Sequence, residues 1–223
     1  MEALNIDVRV RRGGQLLYTA TTWAGYIGLL TAQRPGHYAV AVNFREQGEG
    51  TECRQELPLP VGLAVRLAME RSRSYNDFVE FVASVPSMAP FYCLVVSASG
   101  EAVQVTRNAP CGEVGRRELE EEGAYIVQAN MDYWDTDPAN DTQQSLVRCQ
   151  LAETMLQAAA KKGVIEESDL WMVLWKDPIF ERGVTLYSSV MNPARGTFHS
   201  LSEPPEDDPG PQRAAGKRRK SRK

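Results

Sequence analysis

The residues best suited to chemistry in this chain are few and scattered. Four cysteines, Cys53, Cys93, Cys111 and Cys149, lie far apart with no CxxC pair, so they offer neither a zinc site nor a dithiol redox motif. Their isolation predicts buried free thiols, with one or two disulfides as the alternative. His37 and His199 sit on strand-like patterns, with no serine or cysteine at a nucleophile elbow near either; they read as strand histidines. The acidic run "ELEEEG" (residues 118–123) reads as a solvated turn and not a metal site. Trp171 and Trp175, four apart on a helical pattern, favour a core or an interface. Asn130, in "VQANMDYW", closes a strand-like run, where an Asn-x-Asp most often caps a turn.

One connection stands apart. Residues 23–44, "WAGYIGLLTAQRPGHYAVAVNF", are nearly uncharged and carry glycines at 25, 28 and 36. Glycine in a non-repeating apolar stretch means that something approaches the backbone closely, a ligand or another strand.

The elements that must position these residues follow from period and punctuation. The chain has 223 residues, a formal net charge of −4 and 43% hydrophobic residues, enough for one domain with a sizeable core. Leu4, Ile6, Val8 and Val10 alternate with polar residues, "RRGGQ" turns, and "LLYTATTW" returns, so the chain opens on a hairpin. Residues 37–43 give a third strand, and 45–58 are polar and loop-like. Helices are expected over 61–72, after Pro60, and over 75–85, after the N-cap Ser74. "FYCLVVSASGEAVQVTR" is a hairpin about Ser99-Gly100, and 124–129 a further strand. Two more helices, 141–162 and 167–175, precede a last hairpin around "PARG". The order predicts an antiparallel α+β layer protein and excludes a parallel βαβ one. Residues 203–223, "EPPEDDPGPQRAAGKRRKSRK", are proline-rich and acidic, then basic. Such a tail cannot bury enough apolar surface to fold and is expected to be disordered. No apolar run reaches the roughly 20 residues of a bilayer span, and "MEALNIDVRV" is no signal peptide; the chain as written reads as soluble and unsecreted.

Three stretches in register resemble the acid ceramidase and N-acylethanolamine acid amidase family of N-terminal-nucleophile hydrolases. They are "WAGYIGLLTAQRPG" with "VAVNFR", then "SYNDFVEFVASVPSMAPFYCLVVSASGEAVQVTR", then "AYIVQANMDYW" with "VTLYSSVMNPARGTFHSL". The match covers residues 3–202 and corresponds to the C-terminal major part of the family's catalytic β-chain. It implies a four-layer αββα sandwich, two antiparallel sheets covered by helices, here without the first strands. It also implies a lipid amide substrate of the ceramide or N-acylethanolamine class, no cofactor and no metal. The family is lysosomal.

The resemblance assigns roles residue by residue. Asn130 falls on the family's oxyanion-hole asparagine, whose amide donates to a developing oxyanion without competing as a base. Gln143 falls on the position of a catalytic-site arginine; a glutamine can hydrogen-bond there but carries no charge. Trp23, Gly25 and Tyr26 fall on the lining of the cleft where the acyl amide lies. Asn43 and Arg45 agree with the family's Asn-Glu-Arg, while Phe44 replaces its glutamate. Together Asn130, Trp23, Gly25 and Tyr26 are expected to line one cleft with Gln143 close by. The family's nucleophile, a cysteine that becomes the first residue after self-cleavage, and the Arg and Asp that follow it have no counterpart here, and Cys53 is not followed by Arg-Asn-x-Asp. This chain alone is therefore expected to be inactive, completed by an N-terminal segment or an α-chain. The alternative is a catalytically inactive relative that binds lipid amides or a protein. "KRRKSRK" ends an otherwise acidic chain, so specific nucleic-acid binding is not expected.

Overall fold

Alternating apolar and polar residues send the first part of the chain into paired strands. The structure, a computed structural model, describes residues 4–46 and 57–205. The expected loop 45–58 and the expected disordered tail 203–223 both lie mostly outside these residues. Seven strands form one antiparallel sheet: β1 (Asn5–Arg12), β2 (Gln15–Trp23), β3 (Thr31–Arg34), β4 (Tyr38–Phe44), β5 (Phe91–Ser97), β6 (Ala102–Arg107) and β7 (Glu113–Glu118). They lie side by side in chain order. Two helices, α1 (Val61–Arg71) and α2 (Tyr75–Ser84), fill the link from β4 to β5. Pro60 precedes α1, and α2 opens on a capping box in which Ser74 and Asp77 each accept the other's backbone N–H.

Period-2 alternation gives this sheet two apolar faces. Tyr18, Tyr38, Val40, Phe91, Cys93 and Val95 point to α1 and α2, where Val65, Met69, Phe78 and Val82 meet them in one core. Each such side chain contributes about 1.5–3 kcal/mol on burial. Beyond β7 come a short helix, α3 (Leu119–Glu122), then α4 (Ser145–Ala160) and α5 (Glu167–Leu174), and a second sheet of β8 (Ser188–Asn192) and β9 (Thr197–Leu201). Ala152 and Leu156 of α4 and Val173 of α5 form a second core. The layers are helices, large sheet, small sheet with its flanking segment, and helices, as the αββα expectation required. Side-chain and backbone bonds join the two sheets: Asn5 Nδ2 donates to the Leu186 carbonyl (2.6 Å), Tyr187 Oη to Thr31 Oγ1 (3.2 Å), and the Gly36 N–H to the Pro193 carbonyl (2.8 Å). Among the described residues no helix is long and apolar enough to cross a membrane.

Several expectations are corrected. The segment before residue 37 is not all connection: Ala32 of β3 sits between Ala20 of β2 and Val40 of β4. The backbone approached by a neighbouring strand accounts for part of that glycine-rich stretch. β7, "EVGRRE", was not expected, because charge hides its pairing with β6. The expected strand 124–129 pairs with no strand among the described residues. Tyr125 and Val127 pack on the second core at the two-residue spacing of an extended segment, yet the backbone N–H groups of residues 125–128 have no backbone acceptor among the described residues, and that of Ala129 faces the Cys149 thiol. A ladder needs a neighbour, and among the described residues none stands beside it. The fourth helix starts at Ser145 rather than 141, since Asp141 caps it from outside.

Candidate functional site

Asn130 and Gln143 line one narrow cleft, together with Glu46, Tyr92, Asp132 and Asp141. Its free volume is about 10 Å³, near the minimum for a single water.

Asn130 is held at both ends of its carboxamide. Its Nδ2 donates to the carbonyl of Phe44 (2.8 Å), and its Oδ1 accepts from Nη2 of Arg148 (2.8 Å). A guanidinium cannot accept, so this pairing fixes which end of the amide is nitrogen. One Nδ2 hydrogen is left over. The backbone N–H of Asn130 donates to Ser145 Oγ (3.1 Å), to which Arg148 also donates (3.2 Å). Arg148 was missed in the sequence; its place one turn into α4, three residues after Ser145, is a signal visible only once Asn130 is known to face that turn.

Gln143 is exposed, and its backbone N–H lies 3.3 Å from Asp141 Oδ1. The guanidinium that reaches Asn130 therefore comes from residue 148. Asp141 organises this turn, accepting the N–H groups of Ser145 (2.6 Å) and Leu146 (2.8 Å) at the start of α4. Partial burial pushes its pKa up, but these backbone bonds and the nearby Arg148 outweigh that and leave it lowered.

Asn43 serves the site through its side chain and Phe44 through its backbone. Asn43 Nδ2 donates to the carbonyls of Gln128 (2.7 Å) and Ala129 (3.2 Å), fixing the approach to Asn130. The Phe44 carbonyl accepts from Asn130 while its side chain is 55% exposed. Replacing glutamate by phenylalanine leaves that backbone contact intact.

Behind the cleft lies a buried charge network. Arg45 grips Asp132 with two bonds of 2.7 Å, Nε to Oδ1 and Nη2 to Oδ2, with only 6% and 10% of the two side chains exposed. Its Nη1 also donates to Asn108 Oδ1. Tyr92 Oη donates to Asp132 Oδ1 (2.7 Å). Burial, then this bond to Asp132, pushes the Tyr92 pKa up, so the phenol stays protonated. The network ties the residue after Phe44 to the second residue after Asn130.

Trp23, Gly25 and Tyr26 form a group of their own. The Trp23 and Tyr26 rings stack at 4.5 Å across a turn with Gly25 at φ +89°. The phenol enters a niche made by two glycines: a Cβ would lie 2.5 Å from Tyr26 Oη at Gly28 and 2.0 Å at Gly62. Glycine here admits an aromatic ring. Trp23 ends β2 and Phe44 ends β4, two strands that run the same way, so this group and the Asn130 cleft share one end of the sheet.

The remaining chemistry-bearing residues fall elsewhere. Cys93 is fully buried, which pushes its thiol pKa up. Cys149 is also raised, chiefly by burial. Cys111 is disulfide-bonded, so the free-thiol expectation is corrected there; Cys53 lies outside the described residues. His199 Nδ1 lies 2.8 Å from Glu167 Oε1 on the surface, and Trp171 stacks on Trp175 at 4.8 Å. Among the described residues no three His, Cys, Asp or Glu side chains could hold a metal ion.

The Asn130 carboxamide, anchored at both ends, is the best-defined feature of this cleft, and known proteins resemble the chain over most of its length. No family model matches the chain. It is 29% identical over 201 residues to the N-acylethanolamine-hydrolyzing acid amidase of Cavia porcellus, covering 87% of this chain and 54% of that protein. It is 25% identical over 209 residues to the acid ceramidase of Bos taurus, covering 90% and 51%. The solved structure of the Caenorhabditis elegans N-acylethanolamine-hydrolyzing acid amidase ortholog superposes with a TM-score of 0.69 at 23% identity, over 90% of this chain and 88% of that one, so the two share a fold. The chain is thus a relative of the acid ceramidases and N-acylethanolamine-hydrolyzing acid amidases, and it spans about half the length of the curated relatives it matches.

Proposed function

We propose that residues 1–202 form the larger part of an acid ceramidase-like amidohydrolase domain that cleaves the amide bond of ceramide or a related N-acyl lipid. In this reading a cysteine thiolate attacks the amide carbonyl, the carbonyl electrons move onto oxygen, and the oxyanion accepts the free Nδ2 hydrogen of Asn130. Collapse breaks the C–N bond and expels the amine, which takes up the proton the thiol gave up; water then hydrolyses the thioester left on sulfur, freeing the acid and restoring the thiol. The nucleophile is none of the four cysteines here and is supplied by polypeptide beyond these 223 residues. Trp23, Gly25, Tyr26 and Phe44 lie toward the acyl chain, with Gln143 at the rim. The observation that carries the reading is the doubly anchored Asn130 amide: an oxyanion donor must be fixed before the charge develops.

Gln143 favours a second reading, a catalytically inactive relative that binds lipid amides or a protein partner, because a neutral side chain stands at the arginine position. A release assay with a fluorescent N-acyl amide at acidic and neutral pH separates them. The protein made from its complete gene should turn over, and Asn130→Ala should lower kcat by about 10²–10³. Full-gene protein without turnover supports the second reading. Turnover by the 223-residue chain alone, abolished by a thiol-blocking reagent, would make one of its own cysteines the nucleophile and sink the first.

A further inference from the structure

What holds the Asn130 amide comes from the first turn of α4. That helix starts at Ser145, so Ser145 and Arg148, three apart, share one of its faces. Ser145 is 1% exposed, and its Oγ accepts twice, from the Asn130 backbone N–H (3.1 Å) and from Arg148 Nη2 (3.2 Å). The same Nη2 gives its other hydrogen to Asn130 Oδ1 (2.8 Å). Main chain and side chain of Asn130 are thus clamped to one turn of helix.

An arginine that serves stability alone pairs best with a carboxylate. Asp141 is near enough to feel Arg148, but its oxygens are spent on the N–H groups of Ser145 and Leu146. Among the described residues no carboxylate forms an ion pair with Arg148, so its charge bears on a neutral carboxamide. The Phe44 carbonyl alone would hold one Nδ2 hydrogen and let the amide swing about that bond. An anchor at the opposite end stops the swing and fixes where the second hydrogen points. A charged donor on Oδ1 also polarises the amide and makes Nδ2 the stronger donor. We infer that Arg148 is a positioning residue for the hydrolysis proposed above: acting through Asn130, it aims and strengthens the Nδ2 hydrogen that meets the oxyanion. The role in hydrolysis rests on the amidohydrolase reading; the orientation of Asn130 does not. A neutral side chain at 143 then costs the site no cation, because the one that serves Asn130 stands at 148.

The test uses the protein made from its complete gene. Arg148→Met keeps an apolar stem and removes every donor, while Arg148→Lys keeps a cation able to serve both acceptors. Arg148→Met should lower kcat by about 10–100-fold, short of the loss in Asn130→Ala, with KM changed less than about threefold. Arg148→Lys should recover most of the loss. Asn130→Ala/Arg148→Met should be no slower than Asn130→Ala alone, because a residue that works through Asn130 then has nothing left to aim. Should Arg148→Met fail to fold, Arg148→Gln replaces it with the same outcomes at a smaller fold-change. A second readout is independent of turnover. In protein with isotopically labelled asparagine, the side-chain amide resonance of Asn130, identified by its loss in Asn130→Ala, should shift or broaden in Arg148→Met and stay in place in Arg148→Lys. A parent protein without turnover sinks the hydrolytic reading and leaves this resonance to decide the orientation. Additive losses in the double variant, an unchanged kcat in Arg148→Met, or an Asn130 resonance indifferent to that substitution overturns the assignment.

Discussion

Replacing Asp132 by alanine should be among the most damaging single changes in this protein. Arg45 and Asp132 share two 2.7 Å bonds and are 6% and 10% exposed, so Asp132→Ala leaves a guanidinium in the interior facing Asn108, the Arg107 carbonyl and the Tyr92 side chain, none of which carries a negative charge. Removing one partner of a buried pair costs about 3–5 kcal/mol, against about 5–15 kcal/mol for a whole domain. With a urea slope of about 2 kcal/mol/M, the midpoint should fall by roughly 1.5–2.5 M. Tyr92→Phe, which removes only the phenol bond to the carboxylate, should cost about 1.5–3 kcal/mol. The double variant Arg45→Met/Asp132→Leu leaves no unpaired charge and should recover most of the loss. Urea titrations of the four proteins by tryptophan fluorescence decide the matter. A loss below about 1 kcal/mol for Asp132→Ala, the worth of an exposed ion pair, or a double variant as unstable as the single, would refute the buried-charge argument.

Three further outcomes are expected. Gly62→Ala should cost about 1–3 kcal/mol by overpacking against Tyr26, and the cost should vanish in a Tyr26→Ala background; equal costs in both would show that the niche is not tight. Asp141→Ala should destabilise by about 1 kcal/mol at neutral pH, as loss of a helix cap does. Because the Asp141 pKa is lowered on folding, its contribution is complete above the ordinary value of 3.8 and disappears as pH falls through the lower folded value, so melting curves of variant and parent should converge in acid. Finally, Cys93 should resist a disulfide-exchange thiol reagent at pH 7 in the folded chain and react on unfolding, since the reactive thiolate is suppressed by burial; rapid native-state labelling of Cys93 would contradict its place in the core.

Which parts of this molecule could be read from its residues follows from the range of the interactions. Strands such as β4 and β5 and the helices α1 and α2 carry local signals, alternation, a proline start and a capping box, and were legible. β3 was not: four residues including Gln33 and Arg34 make no periodic pattern, and the buried Gln33 and Thr21 blur the contrast. β7 was hidden by its four charged residues. At 124–129 the pattern is strand-like, but pairing depends on a neighbour that no local window contains. The cleft shows the same division. Asn130 and Gln143 were named together and do line one cleft, whereas Arg45 with Asp132, 87 residues apart, and Arg148 with Asn130, 18 apart, are partnerships that only the fold creates. Resemblance grouped Trp23 and Tyr26 with Asn130, whereas the niche at Gly28 and Gly62 that receives the Tyr26 phenol is visible only in the fold.

The chain-order arrangement of the large sheet bears on how the protein is born. Every strand from β1 to β7 pairs with the next one made, and the stretch from Phe44 to Phe91, the longest such closure, is shortened by the α1–α2 hairpin within it. Contacts this local close quickly, because little chain entropy is lost before each pairing is rewarded. The sheet can therefore assemble strand by strand behind the ribosome and stand finished once Glu118 has emerged, at about 5–20 residues per second of synthesis. Residues 124–201 then fold onto a surface that already exists, which makes the second layer a late, templated event and the place where synthesis errors or slow partners would stall maturation.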